Sequence, residues 1–251
     1  MYTAYYDRAE THDDSLAVVV AGFIATNEQW AEFERKWNDT LKQFGISLFH
    51  MRDFNHSLRE FSKFKQRQED RHWFLRQLLS HIILRAAYSV GHAFLMADYW
   101  KVNSVYALDY RFPPYALAGR TCVARINLWA EKLGIPKEQI QHVFEDGAAG
   151  KGLLYDSVLP DHEMKLSFKK KDECVALQAA ELLASEKLAA NRGIFDNGIV
   201  DFKKLDFPIR QLRDLVRDPL EWGTYTRKNL EEFCINAQVP RREALTVDAT
   251  G

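Results

Sequence analysis

The order of apolar and polar positions along this chain changes period several times, and each change predicts an element. MYTAYYD, at residues 1–7, is short and aromatic and predicts a strand ending at Asp7. The β-branched run SLAVVVAGFIAT follows after the polar RAETHDD, so the two runs predict a hairpin. NEQWAEFERKWNDTLKQFGI then turns helical, with Trp30, Phe33, Trp37, Leu41 and Phe44 three or four apart, Asn27 as the expected N-cap and Gly45 as the stop. SLFHMRDF predicts a brief strand carrying His50 to its end. WFLRQLLSHIILRAA predicts a helix, YSVGHAFLMADYW a strand, and ALAGRTCVARINLWAEKLG a helix closed by Gly134 after the interruption at RFPPY. QIQHVFEDG predicts a strand whose end bears Glu145 and Asp146. KLSFKKKDE predicts one more strand, leading into CVALQAAELLASE.

That last stretch is apolar almost all the way round a helical wheel, as expected of a helix embedded between other elements. Gln178 and Glu181 are the exceptions within it. A buried, unpaired carboxylate costs several kcal/mol or is forced to protonate, so Glu181 requires a partner. Either it belongs to a structural ion pair or it belongs to a site with other acids.

Strands alternating with helices behind an opening hairpin predict an α/β layered fold with a mixed sheet. Beyond about residue 192 the pattern is less regular, with short helices expected at FPIRQLRDLVRD and TRKNLEEFCINA and a loose tail from about 241. The expected organisation is an α/β domain over 1–192 and a helical extension over 193–251 packed on it. Net charge is −1 from 34 basic and 35 acidic residues, so any attraction for polyanions has to be local. Cys122, Cys174 and Cys234 show no metal-binding spacing and read as free thiols. No signal peptide or membrane span is expected, which implies a soluble, cytoplasmic protein.

Asp7, Glu145, Asp146 and Glu181 come from distant segments yet fall at strand ends or on the buried helix. Carboxylates brought together repel unless a cation joins them, and Mg²⁺ or Mn²⁺ is the natural partner for oxygen ligands. His50 is a candidate for proton transfer or phosphate contact beside such a site. EDGAAGKGLLYD is not a Walker loop, since two residues rather than four separate Gly147 from Gly150 and Gly152 follows Lys151. Lys151 and the run Lys169, Lys170 and Lys171 are candidates for nucleic-acid backbone contact. A second basic cluster, Arg59, Lys63, Lys65, Arg67 and Arg71, interleaves Phe61 and Phe64, which either stack on bases or anchor the stretch to the core.

YYDRAE, LAVVVAGFIATNEQWAEFERKW, LFHMRDF, VFEDG and LQAAELLA occur in the order of motifs seen in the domain of unknown function 3800 family, which the chain resembles over about residues 2–190. LQAAELLA matches the family's closing motif at seven of eight positions. The resemblance implies a ribonuclease H-like mixed sheet with flanking helices, of bacterial or phage origin. It also implies a nuclease that hydrolyses RNA or DNA with Mg²⁺ or Mn²⁺ held by Asp7, Glu145 and Glu181, with His50 and Asp146 nearby. Arg8 stands where the family has Glu, and Glu181 where it has Asp. The alternative is therefore a catalytically degenerate relative that binds nucleic acid or a protein partner.

Overall fold

A computed structural model describes residues 1–10, 16–158, 165–197 and 222–243. Among these the first strand, β1 (Tyr2–Glu10), runs three residues past Asp7 and pairs antiparallel with β2 (Ala17–Thr26), so the hairpin forms as expected. The helix α1 (Asn27–Gln43) follows directly. Thr26 caps it rather than Asn27, because the Thr26 hydroxyl accepts from Gln29 N while the Gln29 side chain accepts from Thr26 N. Trp30, Phe33, Trp37 and Leu41 face the core, matching the predicted stripe.

SLFHMRDF does not form a strand. Phe49 N donates to the Gln178 side chain instead of to a neighbouring strand, and the chain turns at once into the short helix α2 (Met51–Asn55). A 3-10 turn (Arg59–Phe64) leads to α3 (Gln68–Arg85). Phe61 and Phe64 are buried against Phe49, Phe54 and Phe74, so they anchor this stretch and are not free to stack on bases. Basic residues of the cluster cover this aromatic core: Arg71 lies over Phe54, and Lys63 donates to the carbonyls of Phe44 and Gly45.

Next come β3 (Tyr88–Leu95), α4 (Met96–Asn103), α5 (Leu108–Arg111) and α6 (Pro114–Lys132), the last with Pro114 in its first turn, where no amide is missed. Then follow β4 (Ile140–Glu145), α7 (Lys151–Val158), β5 (Lys165–Lys169) and α8 (Ala176–Asn197). EDGAAGKGLLYD, which lacks the Walker spacing, is helical from Lys151. The chain closes with β6 (Trp222–Tyr225) and α9 (Arg227–Asn236).

The sheet order is β5-β4-β1-β2-β3-β6. β1, β2 and β3 form an antiparallel meander, while β4 runs parallel to β1, and β5 parallel to β4. The mixed sheet expected from the alternation of strands and helices therefore forms, as a meander extended by two parallel strands beyond β1. Helices cover both faces. α1, α2, α3 and α8 pack on one face, and α4, α6, α7 and α9 on the other. β2, buried along nearly its whole length, is central in consequence. A Cβ on Gly22 of β2 would stand 2.0 Å from the Tyr5 carbonyl oxygen, so only glycine lets the hairpin close there.

The expected boundary near 192 falls inside α8, and the region beyond it contributes a strand as well as a helix. β6 pairs with β3 in the same sheet, because four residues of WGTY find a free edge there. α9 matches the helix expected at TRKNLEEFCINA, whereas FPIRQLRDLVRD lies outside the described residues. Residues 241–243, expected to open a loose tail, are held in place, since Arg242 donates to Asn103 O and pairs with Asp109, and the rest of that expected tail lies outside the described residues. The three cysteines are free thiols. No helix among the described residues is long and apolar enough to cross a membrane.

Candidate functional site

Strand register decides which acids can meet. The parallel pairing of β1 with β4 ends at Tyr6 and Phe144, so Asp7 and Glu145 are the next residues of neighbouring strands. β5 continues the row, with Lys169 opposite Glu145. Side chains alternate along a strand, and Tyr6 and Phe144 pack in the core on the α6 face. Asp7 and Glu145 therefore face the other way, toward α8. This is the carboxyl end of the parallel β1–β4 pairing, a place where α/β sheets favour ligands.

α8 lies over this end because small residues let it approach: Ala179, Ala180 and Ala184 are fully buried around Glu181. Glu181 is 6% exposed and is fully engaged. Its Oε1 accepts from Met51 N at 3.1 Å and lies 2.8 Å from His50 Nδ1. Its Oε2 lies 3.2 Å from Lys171 Nζ. The same ammonium lies 2.9 Å from Asp7 Oδ2, and Asp7 Oδ1 accepts from Arg8 N at 2.7 Å. Asp7, 2% exposed, and Glu181 are thus joined through one lysine.

One turn before Glu181, the buried Gln178 braces the neighbourhood. Its Oε1 accepts from Trp37 Nε1 at 2.9 Å and from Phe49 N at 3.0 Å, and its Nε2 donates to Lys171 O at 3.5 Å. It therefore ties α1, the segment bearing His50 and the backbone of Lys171 to α8. The sequence held a signal for this residue, an amide three positions from the acid in an otherwise apolar helix. It held none for Lys171, which is chemically identical to the two lysines before it.

The electrostatics follow from burial and from too many acids for one ammonium. Burial raises the Asp7 carboxyl from 3.8 to about 7; Lys171 opposes the rise, and Glu181 and Glu145 add to it. Burial also raises Glu145, with Lys171 opposing and Glu181 and Asp146 reinforcing. For Glu181 burial acts upward too, but the His50 hydrogen bond and Lys171 together hold it below its ordinary value. Its hydrogen bond to Glu181 raises the His50 imidazole against the effect of burial. Burial alone would lower Lys171, yet Asp7, Glu181 and Glu145 keep it above the usual lysine range.

Of the residues singled out in the sequence, Asp7, Glu181 and His50 share one hydrogen-bonded and ion-paired group, with Glu145 within electrostatic reach. Asp146, expected as a ligand, turns away: it pairs with Lys151 at 2.7 Å and accepts from Gly147 N at 2.9 Å. Lys151 is engaged by that pair, and Lys169 and Lys170 are exposed. Lys171, expected on a nucleic-acid-binding surface, is turned inward by the two acids. Among the described residues no three His, Cys, Asp or Glu side chains stand ready around a common metal position. The donors suit a hard cation in type and charge, and Asp7 Oδ2 and Glu181 Oε2 are buried oxygens whose neighbour is that ammonium. A divalent ion held by these residues would require Lys171 to move.

Neither a family profile nor a curated protein matches the sequence. Among solved structures, the chain is similar to a chain of the PCNA:RNase HII complex from Archaeoglobus fulgidus, at 13% identity and a TM-score of 0.40, over 88% of this chain and 89% of that one. It is also similar to Bst-RNase HIII in complex with Mn²⁺, at 12% identity and a TM-score of 0.44, over 94% of this chain and 70% of that one.

Proposed function

We propose that this protein is a divalent-metal-dependent nuclease that hydrolyses phosphodiester bonds of RNA or DNA. The observation that carries the reading is the meeting of Asp7 from β1 and Glu181 from α8 across a single cation, with Glu145 of β4 alongside. Three acids facing one ammonium leave negative charge that one lysine does not neutralise, and hard divalent ions are bound by such oxygens. Asp7, Glu145 and Glu181 would hold Mg²⁺ or Mn²⁺, which when bound activates water and stabilises the leaving oxygen in phosphodiester cleavage.

The remaining roles belong to the chain's own groups. His50 holds a proton at Nδ1 against Glu181, which orients that carboxylate, and at 42% side-chain exposure it is open to substrate. Lys169 and Lys170, exposed beside the acids, attract phosphate without reading sequence. Short RNA and DNA strands incubated with Mn²⁺ or Mg²⁺ test the reading. Cleavage should require the ion and should be lost in Asp7→Asn and in Glu181→Gln. Cleavage at the wild-type rate in both variants would remove the site from consideration.

The position of Lys171 favours a second reading, a non-catalytic relative in which the lysine stands permanently for the ion. That protein would bind nucleic acid in a salt-sensitive way and would take up no Mn²⁺ in calorimetry.

A further inference from the structure

The cation between Asp7 and Glu181 comes from the chain itself, and several independent contacts fix it there. Lys171 Nζ reaches both acids, at 2.9 and 3.2 Å, with its side chain only 17% exposed. Its carbonyl oxygen accepts from Gln178 Nε2, and Gln178 is in turn held by Trp37 and by the Phe49 amide. The turn that presents Lys171 is closed on either side by Glu173 N donating to Lys170 O, and by Lys170 N donating to the Glu173 carboxylate. Backbone and side chain are both committed to this placement, unlike those of a lysine resting on a surface.

An ammonium and a divalent ion cannot both use these oxygens. Mg²⁺ binds carboxylate oxygen at about 2.0–2.1 Å and demands near-octahedral surroundings, which a second cation against the same oxygens disrupts. Two positive charges a few ångströms apart also repel, more strongly away from bulk water. We propose that Lys171 is a built-in counter-ion of the Asp7–Glu181 pair, which a divalent cation must displace in order to bind. This rests on the reading that these acids form the functional site. The lysine keeps the acids together when no ion is bound, and its flexible four-carbon stem allows the ammonium to leave without unfolding the turn.

Calorimetric titration of the full chain with Mn²⁺ tests this, comparing the wild type with Lys171→Met and, as a control, with Lys101→Met, at an exposed lysine of α4 on the opposite face of the sheet. Lys171→Met should bind Mn²⁺ roughly tenfold more tightly or better, the removal of a competitor worth at least that factor, while Lys101→Met stays at the wild-type affinity. Lys171→Met binding no more tightly than wild type would overturn the proposal, and so would an equal gain in Lys101→Met. If Lys171→Met does not fold in metal-free buffer, folding restored by Mn²⁺ supports the proposal, and failure to fold with Mn²⁺ present overturns it. The outcome is separable from the nuclease reading. Mn²⁺ binding by Lys171→Met but not by wild type upholds the counter-ion and ends the nuclease reading. Mn²⁺-dependent cleavage by wild type with no affinity gain in Lys171→Met does the reverse.

Discussion

Asp7→Asn should stabilise the metal-free protein at pH 8 even as it removes the proposed activity. Asp7 is 2% exposed, and burial together with Glu181 and Glu145 lifts its carboxyl from 3.8 to about 7 despite the Lys171 ammonium. At 1.36 kcal/mol per tenfold, that displacement means the ionised form is worse off in the folded protein by about 4 kcal/mol. The attraction of Lys171 is already inside this figure. Because an acid raised on folding binds its proton more tightly in the native state, its contribution is neutral below the unfolded value. Stability is then lost as pH climbs from about 4 to about 7, and nearly the whole penalty is present at pH 8. Asparagine carries no charge to penalise. Its amide nitrogen facing Lys171 takes back part of the gain, which leaves about 2 kcal/mol, or about 4–8 °C in Tm for a chain of this size. Thermal melts in EDTA across pH 4–8 measure it, and the difference between the two proteins isolates Asp7 from His50 and Glu181. Asp7→Asn melting at or below the wild-type temperature at pH 8 would refute a buried charge penalty at Asp7. So would a gap that does not narrow as the pH falls toward 4.

Gln178→Ala strips the acceptor from two buried donors, Trp37 Nε1 and Phe49 N, and should cost about 2–4 kcal/mol in urea denaturation; a loss under 1 kcal/mol would show that both find other partners. Gly22→Ala drives a Cβ into the Tyr5 carbonyl at 2.0 Å and should prevent the β1–β2 hairpin from closing, seen as loss of folded protein in circular dichroism, whereas a native spectrum would contradict the register. Phe74→Ala, which empties the centre of the aromatic cluster formed with Phe44, Phe49, Phe54, Phe61 and Phe64, should cost about 3–5 kcal/mol by chemical denaturation. Replacing both Lys169 and Lys170 by Gln should lower the slope of log affinity against log salt for nucleic acid by about 2, and an unchanged slope would place the backbone contacts elsewhere.

Local pattern carried most of the secondary structure. Apolar runs mark β1 to β5 and three-and-four spacing marks α1, α3, α6, α8 and α9, because side-chain direction in each element is a property of the backbone alone, whereas MADYW, expected to continue a strand, lies in α4. The errors fall where a distant group replaced a local one. Phe49 looks like strand but bonds to Gln178, 129 residues away, and WGTY becomes a strand because β3 offers it an edge. Asp7, Glu145 and Glu181 were legible as acids at strand ends or in an apolar helix, since such charges are costly to bury and stand out for that reason. Asp146 shares the same strand end as Glu145 and could not be told from it by sequence. Alternation across the sheet and the partner at Lys151 send it the other way.

The sequence by itself determined the α/β class, the hairpin, the buried helix and the demand that Glu181 find a partner, all of which follow from periodicity and the cost of burying charge. Only the tertiary structure decided who that partner is. Three lysines in a row are equivalent as sequence. The turn after β5 and the brace from Gln178 leave Lys169 and Lys170 in water and carry the third ammonium between two acids from distant parts of the chain. Coulomb attraction falls off with distance and strengthens with burial, so which lysine neutralises the site is fixed by where the fold puts it.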